Sequence, residues 1–124
     1  MLNKISTDKA PAAIGPYSQA IVVGDILFTS GQIPIVPTSG AIEADEIVGQ
    51  TEQVMKNLGA VLEAAGTSYE NVIKTTCFLA DIKDFAAFNE VYAKYFTGKP
   101  ARSCVAVKDL PKGALVEVEL IAKI

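Results

Sequence analysis

Leu115-Val116-Glu117-Val118-Glu119-Leu120-Ile121-Ala122-Lys123-Ile124 alternates along its length, and that alternation decides the fold. Side chains of a strand point to opposite faces with a period of two. Val116, Val118, Leu120, Ala122 and Ile124 therefore share one face, and Glu117 and Glu119, with Leu115 and Ile121, share the other. The apolar face predicts a sheet packed against helices. The mixed face suits a subunit interface or a pocket better than open water.

Two segments supply the helices. From about Asp45 to Ala65, the residues Ile47, Val54, Leu58, Val61, Leu62 and Ala65 recur at helical spacing, and Gly66 is placed to end the helix. Phe85, Phe88, Tyr92, Tyr95 and Phe96 form a second stripe, read as core, with Asp84 as the expected cap and Gly98 as the expected stop. Gln19 to Val23 and Ile26 to Ser30 flank Gly24-Asp25, a two-residue hairpin signal. Val72 to Ala80 and Ala101 to Val107 complete the strands, while Gly31 to Gly40, with Pro34 and Pro37, reads as an ordered loop. The order is β-β-α-β-α-β, an α+β domain over residues 1–124 with a mixed sheet and both helices on one face.

Half of the 124 residues are hydrophobic, yet no apolar run is long enough to span a bilayer. Self-association into a homo-oligomer is the expected way to cover the surplus. Met1 to Ser6 carries no secretory signal, so a cytoplasmic location is expected, with Cys77 and Cys104 as free thiols. A net charge of -3 offers no basic surface for a phosphate backbone, which disfavours nucleic acid. Histidine is absent. That removes Ser-His-Asp and Cys-His catalysis and the histidine metal sites, and leaves proton transfer to carboxylate, tyrosine, lysine, cysteine or water. No glycine-rich phosphate loop appears, so no nucleotide cofactor is expected, and with no histidine and only two cysteines no metal is expected either.

Among eleven cationic side chains there is one arginine, Arg102, within Lys99-Pro100-Ala101-Arg102-Ser103-Cys104. A guanidinium presents a planar fork of donors suited to gripping a carboxylate at two points, which makes Arg102 a candidate ligand anchor; the alternative is a structural salt bridge. By spacing, Arg102, Cys104 and Ala106 share one face of their strand, and Ser103, Val105 and Val107 the other. A hairpin between this strand and the last is expected to bring Glu117 onto the face of Arg102. Glu117 is then the candidate general base, with Glu119 as its rival and an exposed strand glutamate as the alternative. Cys104 lacks a histidine to lower its pKa and is read as lining the site, while Cys77 is read as core. Asn89 borders the aromatic stripe and either bonds locally or looks into a pocket. Gly15-Pro16-Tyr17-Ser18 and Ser30-Gly31-Gln32 supply further polar groups.

Ala10-Pro11-Ala12-Ala13-Ile14-Gly15-Pro16-Tyr17-Ser18-Gln19, Thr29-Ser30-Gly31-Gln32-Ile33-Pro34 and Pro100-Ala101-Arg102-Ser103-Cys104-Val105, closed by Val116-Glu117-Val118-Glu119, resemble the Rid family, also called YjgF, and most nearly its RidA branch. The resemblance implies a chorismate-mutase-like fold and a homotrimer with clefts between subunits. It implies hydrolysis of 2-aminoacrylate (2-iminopropanoate) and 2-iminobutanoate, released by pyridoxal-phosphate-dependent dehydratases, to 2-keto acids and ammonia without a cofactor. The family's carboxylate-binding arginine falls on Arg102 and its water-positioning glutamate on Glu117, with Tyr17 as proton or hydrogen-bond partner. Ser30, Gly31, Asn89 and Cys104 match pocket-lining positions. The rival readings are a non-catalytic trimer that binds keto acids or amino acids, an endoribonuclease and a chaperone.

Overall fold

The structure is a computed structural model that describes residues 2–124. Eight strands, β1 (Leu2–Ile5), β2 (Ala20–Val23), β3 (Ile26–Thr29), β4 (Ile35–Val36), β5 (Ala41–Ile42), β6 (Val72–Leu79), β7 (Ala101–Ala106) and β8 (Val116–Lys123), accompany two helices, α1 (Ile47–Ala64) and α2 (Phe85–Tyr95). Six strands form one sheet in the order β1-β2-β3-β8-β6-β7, and β4 pairs with β5 apart from it. All pairings in the large sheet are antiparallel except β6 with β7. The α+β architecture expected from the sequence is the one observed.

Alternation in β8 does what its pattern predicts. Val116, Val118, Leu120 and Ala122 are buried against Leu58, Leu62 and Phe88 in one core cluster, which gathers the inner face of the sheet and the apolar stripes of both helices. Gly24 sits at φ 60° in the β2–β3 turn, where Val23 pairs with Ile26. α1 begins at Glu46, whose carboxylate accepts from the Val48 and Gly49 amides at 3.0 and 2.6 Å. It ends where Gly66 takes φ 78° and the Thr67 amide reaches back to the Leu62 carbonyl at 3.0 Å. No helix is long and apolar enough among the described residues to cross a membrane.

Several expectations are corrected. Asp84 makes no capping bond: a 3-10 turn over Ile82–Asp84 leads straight into α2, so the capping carboxylate is Asp81, which accepts from the Lys83 amide at 2.9 Å. Gly98 does not stop the helix. The chain reverses at Lys99, with φ 53° and its amide 3.1 Å from the Phe96 carbonyl, while Gly98 lies beside the Glu70 backbone, where a Cβ would make ordinary contact at 3.4 Å with that carbonyl oxygen. β1 and the β4–β5 pair were not expected, because they are short and β1 is mostly exposed.

The largest correction concerns β7 and β8, which form no hairpin. β6, buried along its inner face, takes a partner on each edge and so stands between them. β7 runs parallel to β6 after the α2 crossover, with Thr75 opposite Arg102 and Cys77 opposite Cys104. On its other edge β6 sets Cys77 opposite Val118 and Phe78 opposite Glu117. Residues directly opposite each other share a face. Arg102 and Cys104 therefore lie on the helix side of the sheet, and Glu117 and Glu119 on the outer side with Phe78, Ser103 and Val105.

The buried face of α1 carries amides as well as aliphatics. Asn57, fully buried, donates to the Ile33 and Ile35 carbonyls at 3.2 and 2.9 Å and accepts from Gln53 at 3.0 Å. Gln50 donates to the Ala44 carbonyl at 3.0 Å and accepts from the Leu115 amide at 2.8 Å. These side chains fasten the loop after β3 and the entrance to β8 to one helix. Replacing the buried Asn57 by leucine removes both carbonyl contacts and the Gln53 bond from a packed helix face and is expected to lower stability by about 2–3 kcal/mol in urea denaturation, whereas Gln53→Ala, at a half-exposed position, should cost less, about 1 kcal/mol.

Candidate active site

Two clefts hold most of the residues singled out in the sequence; Cys104 and Glu119 line neither. The first, about 450 Å³, lies between α2 and the start of β7 and is lined by Asn89, Tyr92, Phe96, Lys99, Pro100 and Arg102. The second, about 550 Å³, opens beside the outer face of β8, where Tyr17, Ser30, Gly31, Gln32, Lys112 and Glu117 meet.

In the first cleft the Arg102 guanidinium donates through Nη1 to Asn89 Oδ1 at 2.6 Å. It lies 4.7 Å from the ring centre of Tyr92 and 5.4 Å from that of Phe85. The ion pairs among the described residues, Lys83–Asp81, Lys94–Glu52 and Lys123–Asp25, leave Arg102 out. A half-buried arginine held by a neutral amide and two rings, rather than by a carboxylate, keeps most of its donor fork for an incoming anion. This geometry sets aside the structural salt bridge. Of the two alternatives for Asn89, local bonding or a pocket, the structure shows the second: it lines the cleft and accepts from Arg102.

Cys104 stands two residues along on the same face, half-buried against the core. Burial pushes its thiol pKa up, against a smaller opposing pull from Arg102, so the group is a protonated thiol and a poor nucleophile. Cys77 is fully buried, with its pKa pushed up to about 12 by burial.

The second cleft is built by the bridge between Gln32 and Val118, whose amides and carbonyls exchange bonds of 2.8 and 3.1 Å. The bridge lays Gly31 across the Glu117 side chain so closely that a Cβ at Gly31 would lie 2.9 Å from Glu117 Cδ. Only glycine leaves that space open. Glu117 is half-buried and its pKa is raised, chiefly by burial and then by the neighbouring charge of Glu119. Ser30 donates its hydroxyl to the Ser18 carbonyl at 2.6 Å, tying down the Tyr17–Ser18 segment and leaving its oxygen as an acceptor. Tyr17, 54% exposed, stands at the mouth. Glu119 is exposed. Among the described residues no group of three or more His, Cys, Asp or Glu side chains is placed to hold a metal ion.

Arg102 and Asn89 are thus brought together, as are Tyr17, Ser30, Gly31 and Glu117, but the two sets lie on opposite faces of one chain's sheet. Sequence reasoning missed Phe85 and Tyr92 as neighbours of the guanidinium. Their spacing from Asn89, four residues for Phe85 and three for Tyr92, is the signal that could have found them.

Comparison with known proteins agrees over the whole chain. The family model described as Endoribonuclease L-PSP matches residues 7–124. The 2-iminobutanoate/2-iminopropanoate deaminase of Mus musculus is 50% identical over 119 residues, covering 95% of this chain and 88% of that protein. A Rid-family protein from Yersinia pestis superposes with a TM-score of 0.97 at 51% identity over 100% of both chains. The crystal structure of E. coli TdcF with bound serine matches with a TM-score of 0.93 at 44% identity, covering 98% of each chain. Fold, motif-bearing segments and relatives agree that the chain belongs to the YjgF/Rid family.

Proposed function

We propose that this protein is a homotrimeric imine deaminase that converts 2-iminopropanoate, its enamine tautomer 2-aminoacrylate and 2-iminobutanoate to 2-keto acids and ammonia, in sites shared between neighbouring copies. The observation that carries this reading is the half-buried Arg102, which has no carboxylate partner and stands on the opposite side of the sheet from Glu117. One chain holds two half-sites. Association that sets the Arg102 cleft of one copy against the Glu117 cleft of the next completes both. The outer face of the sheet supports such packing, since Phe28 and Val105 are 43% and 46% exposed there and apolar surface of that kind marks interfaces. The mouse relative's name and the serine held by TdcF support a small substrate whose carboxylate adjoins the nitrogen-bearing carbon.

In this reading Arg102 grips the substrate carboxylate and fixes the imine carbon for attack. Glu117 orients a water and takes its proton as the oxygen bonds to that carbon, and the C=N π pair moves onto nitrogen. The protonated Glu117 returns that proton to nitrogen, giving the neutral carbinolamine C(OH)–NH2; as the Glu117 carboxylate takes the hydroxyl proton and passes it to nitrogen, the oxygen lone pair closes the keto C=O, the C–N bond breaks and its electron pair leaves with ammonia. Tyr17, at the cleft mouth, is the hydrogen-bond partner for the changing oxygen or nitrogen. Ser30, Gly31, Asn89 and Cys104 shape the pocket. The raised pKa of Glu117 suits a base that works near neutral pH.

Keto acid release from enzymatically generated 2-aminoacrylate is the test. Arg102→Ala and Glu117→Ala are each expected to lose activity on the order of a hundredfold or more while remaining folded. A co-refolded equal mixture should regain about a quarter of wild-type activity, because an intact site needs Arg102 from one copy and Glu117 from its neighbour. A mixture as inactive as its components would rule out shared sites. Wild-type binding of 2-oxobutanoate without turnover would instead establish the binding-trimer reading.

Gly31→Ala should push the Glu117 carboxylate aside and lower kcat about tenfold or more, with a melting temperature shifted by only a few degrees, since what the new methyl meets is the end of a flexible side chain. Because the working form of Glu117 is the carboxylate, kcat/KM should fall as pH drops through its raised pKa. The acid limb should lie above the ordinary carboxylate range and disappear from the residual activity of Glu117→Gln.

A further inference from the structure

α2 presents Phe85, Asn89 and Tyr92 on one face, and each of them meets Arg102. Tyr92 is itself held from two directions. Its hydroxyl lies 2.8 Å from Oγ1 of the fully buried Thr75, the residue directly opposite Arg102 on β6. Its ring stacks on Phe96 with centroids 4.3 Å apart. A ring pinned at its hydroxyl and across its face cannot swing aside, so it offers the guanidinium a fixed floor. Phe85 supplies a second ring, and Asn89 takes an in-plane N–H.

We infer that Tyr92, seconded by Phe85, is a positioning residue that fixes the plane of Arg102, so that its free in-plane donors meet a substrate carboxylate already aligned. Guanidinium–ring attraction and two-point carboxylate binding are both orientation-dependent, and a cleft that starts aligned loses less freedom on binding. Thr75 acts one step further back by anchoring the tyrosine hydroxyl. This inference rests on the reading of Arg102 as carboxylate anchor.

The single arginine makes the test direct. Protein labelled with 15N-arginine gives one Nε–H signal, which in wild type should carry the ring-current shift of two adjacent rings and move saturably as 2-oxobutanoate is added. Tyr92→Leu should abolish most of that shift, weaken 2-oxobutanoate binding and raise KM on the order of tenfold, and change kcat less than about threefold. Tyr92→Phe, which keeps the ring, should retain the shift and most of the affinity. If Tyr92→Leu fails to fold, Phe85→Leu, at a less buried position, carries the test and must move the signal and weaken binding. An arginine signal and a 2-oxobutanoate affinity that the folded leucine variant leaves unchanged would overturn the inference. Should the signal and the affinity respond as expected while wild type hydrolyses no imine, the deaminase reading fails and the positioning role stands.

Discussion

The two-faced alternation of β8 is the constraint on which the rest depends. Its apolar residues seal the core under both helices, and the same pleat obliges Glu117 to face away from them. A one-residue slip against β6 would bury both glutamates and expose the valines, so the hydrophobic core and the position of the candidate base are held by one register. The Gln32–Val118 bridge then attaches the Ser30–Gly31 segment to the same strand. Core packing and cleft geometry cannot be altered independently here.

Much of this was legible from side-chain pattern alone. Period-two alternation in β8, the aliphatic spacing of α1, Gly24-Asp25 at a hairpin and Gly66 at a helix end each express a local physical rule. Face assignment across strands was not legible, because alternation divides a strand into two sets without saying which set meets the helices. In β7 the choice was reversed: Arg102 is long, and its guanidinium finds an amide and two rings on the helix side, whereas Val105 is left exposed outside. The caps of α2 failed for a local reason: a 3-10 turn capped by Asp81 runs directly into the helix, and the reversal beyond it falls on Lys99 rather than on the glycine.

Buried amides were the other omission. Asn57, Gln50 and Gln19 interrupt otherwise apolar surroundings, and in sequence they look like solvated positions. Each satisfies loop backbone instead: Gln19 accepts from the Thr7 amide at 2.7 Å and donates to the Pro11 carbonyl at 2.7 Å. Loops without sheet partners need such donors and acceptors when they are covered. The segments so tied, residues 7–11 and 33–35, flank the Glu117 cleft, so these amides keep the walls of the cleft in place.

Placing Arg102 and Glu117 on opposite faces has an electrostatic consequence that suits the roles proposed for them. Side by side in one chain, they would pair, and the pair would lower the glutamate's pKa while occupying the arginine's donor fork. Kept apart, Arg102 is held only by neutral groups, and Glu117 keeps the pKa raised by its burial. In the proposed trimer they approach only across the cleft. A bound carboxylate then satisfies the arginine, and a water separates the base from the imine carbon. Neither group is neutralised by the other until a substrate is present, which is the condition for an anion anchor and a general base to work in one small site.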